Sequence, residues 1–178
     1  MGWNAIEAVV AITAGAVASS VALVGFGLDS IVEVSAALVV LWQFTGVPED
    51  RERMALRIIG GCFFALAAYV TFTSLRDLVT GAEPDASPVG IALTAVSLVV
   101  MPLLARAKLR ISRDIGSRTV KADSGQTKLC AYLSAITLAG LVANATLGWW
   151  WADPIAALFI AAVAVSEGRE TWQGDNCC

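Results

Sequence analysis

Two carboxylates, Asp29 and Glu33, stand at i and i+4 inside an apolar run from Val21 to about Thr45. On a helix this spacing puts both on one face, about one turn apart, where they repel each other. An unpaired charge in the middle of a bilayer costs at least about 2.5–3.5 kcal/mol, so such a pair persists only with a partner or a task. A divalent cation turns the repulsion into attraction, and oxygen ligands suit it. The plainer alternative is a pair kept protonated, or bonded to the hydroxyls of Ser30 or Ser35 to pack helices. A second polar group falls in the first two turns of a later apolar segment: Asp123, Gln126, Lys128 and Cys130. Gln126 and Cys130 are again i and i+4. If their face meets the acidic pair, Asp29, Glu33, Gln126 and Cys130 make four candidate metal ligands, the number a tetrahedral site uses. Lys128 lies about 160° from Cys130 around the helix and is expected to snorkel outward.

Few other chemistries are open to this chain. It has 178 residues and no histidine, which removes the commonest general base and the commonest metal ligand. There is no GxxxxGK[ST] phosphate loop, no CxxC pair and no Ser/His/Asp set, so an enzyme is not expected and no prosthetic cofactor is implied. Cys62, Cys130, Cys177 and Cys178 are too scattered for a disulfide framework. The adjacent Cys177 and Cys178 are candidates for soft-metal capture, with simple exposure the plainer reading. Net charge is −3, which offers no basic surface for nucleic acid.

The elements that must position these residues are membrane helices. Hydrophobic residues make up 57% of the chain, charged residues 15%, and mean hydropathy is +0.72. A span needs about 20 mostly apolar residues. The pattern predicts an all-α bundle of six transmembrane helices near residues 3–20, 22–45, 54–79, 89–105, 122–144 and 152–167, forming one domain over 1–178. The first two read as a tight hairpin. Val47–Arg53 reads as a charged surface turn, and Arg106 to Lys121 as the most basic connector. The loop around Pro84 holds no Lys or Arg, so the positive-inside rule places both termini in the cytoplasm. Asp153 before Pro154 reads as the N-cap of the last helix. Glu7 reads either as lining a cytoplasmic mouth or as an ordinary interfacial carboxylate, and Arg76–Asp77 as an interface pair. The small residues of the first three helices, Gly60 and Gly61 among them, suit close helix contact.

With these residues in place, the sequence resembles the cation diffusion facilitators, six-helix antiporters of divalent metal and protons. The run SSVALVGFGLDSIVE, Ser19 to Glu33, is similar to that family's entry into its second helix, where a D-x-x-x-D pair binds metal. Lys121-Ala122-Asp123 leads into helix five, and Trp151-Ala152-Asp153-Pro154-Ile155-Ala156-Ala157 opens helix six, in the family's order. The resemblance implies that Asp29 and Glu33 bind metal. It also implies that the fifth-helix pair, usually H-x-x-x-D, falls on Gln126 and Cys130, exchanging imidazole and carboxylate for amide and thiol. It implies export of a divalent ion, zinc first and cadmium or another soft ion next, by proton antiport with alternating access, from a homodimer. Only the transmembrane domain is represented, since the chain stops at Cys178 without the family's cytoplasmic carboxy-terminal domain. Composition and loop length point to a bacterial plasma membrane. The rival expectation is a membrane metal-binding or assembly protein that does not transport.

Overall fold

The computed structural model describes residues 2–43, 49–115 and 118–173, with the side chains of 39–40, 43, 49–56, 58, 115, 118–123 and 125–126 outside the described set. Six helices follow one another: α1 (Gly2–Ala18), α2 (Val21–Gln43), α3 (Glu49–Thr80), α4 (Pro88–Ile115), α5 (Arg118–Leu147) and α6 (Ala152–Gln173). The fold is the all-α six-helix membrane bundle that the hydropathy pattern predicts. α2, α3, α4 and α5 are each long and apolar enough to cross a bilayer. α1 is apolar but shorter, at 17 residues, and α6 carries Asp153 near its start and Glu167, Arg169 and Glu170 near its end. The polarity is inverted relative to a water-soluble bundle. Val17 (80% exposed), Val79 (86%) and Phe72 (70%) face outward, while Glu7, Asp29, Glu33 and Asp153 are buried. An apolar exterior around buried carboxylates is stable in lipid, which asks no polar surface of the protein.

Helix ends are set by local chemistry. α1 closes with Ser19 in the left-handed region (φ 53°), so that Ser20 N–H reaches back to Gly15 O at 2.9 Å, the Schellman arrangement. Ser20 then caps α2, its Oγ accepting from Leu23 N at 3.1 Å. The α1–α2 link is therefore the tight hairpin expected. α3 ends in the same way on Gly81 (φ 66°), with Ala82 N–H on Asp77 O at 3.1 Å. Ser87 caps α4 through Gly90 N at 3.1 Å.

The described residues of two expected connectors are helix. α3 begins at Glu49 rather than Met54, and the basic stretch after Ala105 continues α4 to Ile115, with α5 starting at Arg118. Charge marks where a segment leaves the hydrocarbon, and it does not stop a helix. Lys and Arg are good helix formers once their heads reach water. The Asp153 expectation is corrected as well. α6 starts one residue earlier, and the Asp153 carboxylate caps a different helix. Its Oδ1 accepts from Ser20 Oγ at 2.5 Å and its Oδ2 from Ala22 N at 3.2 Å. A buried carboxylate satisfies the orphan amides of whichever helix end lies nearest, here that of α2.

α1 packs along α2, α3 along α6 and α4 along α5, while α2 also touches α3, α5 and α6. Small residues allow these approaches. A Cβ on Gly27 would lie 2.8 Å from Ile12 Cγ1 and 2.9 Å from Ile12 N, so α1 and α2 touch through backbone. Gly60 packs against Gly168 O of α6, whereas Gly61 has nothing close. Arg76 and Asp77 form the predicted pair, 3.1 Å apart. Phe26, Leu23, Val70 and Ile160 form the centre of the core. The result is a central helix, α2, whose acidic face is held against α5 by neighbours on every other side.

Candidate functional site

α2 supplies Asp29 (6% exposed) and Glu33 (1%), and α5 supplies Cys130 (2%) and Thr127 (0%). Cys130 Sγ lies 3.3 Å from Asp29 Oδ2 and 3.0 Å from Glu33 Oε2. The thiol carries one proton, so it can serve only one of these oxygens at a time. The far oxygen of Glu33 is engaged elsewhere. Thr127 Oγ1 donates to Glu33 Oε1 at 2.7 Å, and Lys108 Nζ of α4 donates to Thr127 Oγ1 at 2.7 Å. Lys108 Nζ also lies 3.5 Å from Glu33 Oε1. Three helices thus meet at one polar cluster: two carboxylates, a thiol, a hydroxyl and an ammonium.

The structure brings together three of the four sequence-predicted ligands, Asp29, Glu33 and Cys130. The fourth, Gln126, has its backbone on α5, but its side chain lies outside the described residues, as does that of Asp123; Cys177 and Cys178 lie outside them altogether. Sequence reasoning missed Thr127 and Lys108. Thr127 precedes Cys130 by three residues and so shares its face, a relation as close as i and i+4. Lys108 was assigned to a surface connector, and only the continuation of α4 past Ala105 carries it to Glu33. Lys128 is exposed, as its place on the helix implies.

The hydroxyls weighed as partners of the acidic pair do not serve it. Ser35 Oγ donates to its own helix at Ile31 O, 2.9 Å away. Ser30 Oγ donates to Glu7 Oε2 at 2.9 Å. Glu7 is fully buried and also accepts from Ser97 Oγ of α4, a helix-bridging contact that neither expectation for it included. It pins α1, α2 and α4 together next to the cluster.

Among the described residues, no group of three or more His, Cys, Asp or Glu side chains is arranged as a ready-made cage for a metal ion. That is consistent with a thiol hydrogen-bonded between two carboxylates rather than the three turned toward a common centre. Buried acceptors gathered this closely need a positive group among them, whether proton, ammonium or metal ion. The donors present, two carboxylates and one thiol, are oxygen and sulfur ligands of the kind zinc accepts.

Fold and site together define a helical membrane protein with an acidic cluster buried inside its bundle. Residues 49–172 match the cation efflux transmembrane domain family, and the chain belongs to that family, one of membrane transport domains rather than enzymes. The chain is 23% identical over 168 residues to transmembrane protein 163 of Xenopus laevis, an alignment spanning 92% of this chain and 60% of that one. It is 24% identical to an uncharacterised transporter of Synechocystis sp., over 80% of this chain and 50% of the relative. It is 30% identical to the cation-efflux pump FieF of Shewanella oneidensis, over 58% of this chain and 33% of the relative. The chain therefore spans 60% or less of the length of these relatives. The family match begins at α3 and leaves Asp29 and Glu33 outside it. The Xenopus alignment omits too little of the chain to miss them.

Proposed function

We propose that this chain is the membrane part of a divalent metal exporter that moves zinc out of the cytoplasm in exchange for protons. The observation that carries the reading is the convergence of Asp29, Glu33 and Cys130 from two helices at a buried point, in a chain of the cation efflux family. Asp29, Glu33 and the Cys130 thiolate bind the ion, with Gln126 of α5 as the fourth ligand. Sulfur shifts preference toward zinc and cadmium and away from magnesium and calcium. Protons and metal compete for the same lone pairs. Raising the proton concentration on the outer side protonates the ligands and expels the ion, and losing those protons to the cytoplasm restores the site. Rocking of helices around a fixed midplane site exposes it to each side in turn.

The same reading takes residues 1–178 as a single membrane domain with both termini in the cytoplasm. The membrane is the bacterial plasma membrane, a choice supported by the Synechocystis and Shewanella relatives, and two copies act as a homodimer. One observation favours the rival, a membrane metal-binding or assembly protein without turnover: Glu33 is already satisfied by Thr127 and Lys108. Equilibrium zinc binding to the purified protein tests the site. Wild type is expected to bind one ion per chain with an affinity that falls as pH falls, and Asp29→Ala and Glu33→Ala to lose that binding. Unchanged binding in either variant would remove the acidic pair from the site.

A further inference from the structure

Lys108 needs an explanation that a metal site alone does not supply. A transport site for cations gains nothing from an ammonium 3.5 Å from one of its carboxylates, because two cations near one ligand repel. Yet the ammonium contacts both Glu33 and Thr127 Oγ1, which is itself bonded to the same Glu33 oxygen. The lysine is also placed so that it can leave. Its side chain is 24% exposed, against 1% for Glu33, and it sits in the basic stretch that ends α4, with Arg106, Arg110 and Arg113. A flexible four-carbon stem near the charged end of a helix can carry its head to water with little change in backbone.

We infer that Lys108 is a tethered cation that occupies Glu33 in the metal-free site and yields it to the arriving divalent ion. The inference rests on the metal-site reading above and deepens it. Glu33 turns one oxygen, Oε2, toward Cys130 and the other, Oε1, toward Thr127 and Lys108. A seated ion draws on the first, and repulsion from that ion drives the ammonium off the second. On this account the emptied site is not a bare acidic pocket. The lysine offsets the charge of Glu33, so that this carboxylate can stay buried between transport cycles. Apparent metal affinity is lowered by the fraction of molecules whose lysine has moved away. A protein in which about nine molecules in ten have Lys108 on Glu33 gains about tenfold in affinity when the charge is deleted.

The test compares zinc affinity, by competition with a chelator of known affinity, in purified wild type, Asp29→Ala, Lys108→Met, Lys108→Gln and Lys108→Arg. Lys108→Met and Lys108→Gln are expected to bind zinc about tenfold more tightly than wild type, and Lys108→Arg no more tightly. A gain is something that loss of a merely structural contact would not produce. A second measurement leaves Lys108 itself unmutated: zinc is expected to raise the rate at which an amine-acylating reagent labels Lys108 in wild type, read by peptide mass spectrometry, and to leave that rate unchanged in Asp29→Ala. Zinc binding that depends on Asp29, with neither tightening in Lys108→Met and Lys108→Gln nor faster labelling, would overturn the tethered-cation proposal alone. Equal zinc binding in wild type and Asp29→Ala would overturn the metal-site reading and this proposal together.

Discussion

Thr127 and Cys130 divide the work on Glu33 between its two oxygens, and each makes a separate prediction. Thr127→Val keeps the shape and removes the hydroxyl that links Lys108 to Glu33. Hydrogen bonds between membrane helices average about 0.6 kcal/mol, with a maximum near 1.7. The expected outcome is a modest fall in thermal stability in detergent with zinc binding retained. Complete loss of zinc binding would make Thr127 a ligand instead of a link. Cys130→Ser replaces a soft donor by a hard one at a place 3.0 Å from Glu33 Oε2. The preference for cadmium over zinc is expected to fall on the order of tenfold in competition binding; an unchanged ratio would show that sulfur does not touch the ion.

The helices hold this cluster through contacts of backbone on backbone and through one carboxylate shared between helices. Asp153 of α6 satisfies the amino end of α2 at Ala22 N and Ser20 Oγ, two turns before Asp29. Asp153→Ala leaves the Ala22 amide without that acceptor at a cost of about 1–3 kcal/mol. It is expected to speed hydrogen exchange over the first turn of α2, and exchange as slow as in wild type would refute the cross-helix cap. Gly27→Val would drive a side chain into Ile12 of α1, whose backbone N is already 2.9 Å from the position of a Cβ, and is expected to lower stability by about 1–3 kcal/mol. How much of this was legible in the sequence follows from the physics of each signal. Apolar length and the Asp29–Glu33 spacing are local, and both point to what the structure shows, a membrane bundle with an acidic face on α2. The start of α3 and the end of α4 differ from the expected bounds because charge marks the membrane surface without ending a helix, and the stretch from Arg106 to Arg113 has no Gly or Pro to break α4. Lys108, Glu7 and the target of the Asp153 cap depend on which helices touch, and no local pattern encodes that.

The bundle as a whole exposes valine, leucine and phenylalanine and buries carboxylates, an arrangement that only a bilayer makes economical. Membership of the cation efflux family fits it, and the proposed site would give the membership a physical meaning: a few buried lone pairs for which, on this proposal, protons, a lysine and a metal ion compete. The account stands or falls on whether that competition moves metal across a membrane. The most direct measurement is zinc flux into or out of proteoliposomes containing the purified chain under an imposed pH gradient. Flux that follows the gradient in wild type, reverses when the gradient is reversed and is lost in Asp29→Ala is the predicted result. Equal flux in wild type and Asp29→Ala, or zinc binding in wild type without any gradient-driven flux, would contradict it.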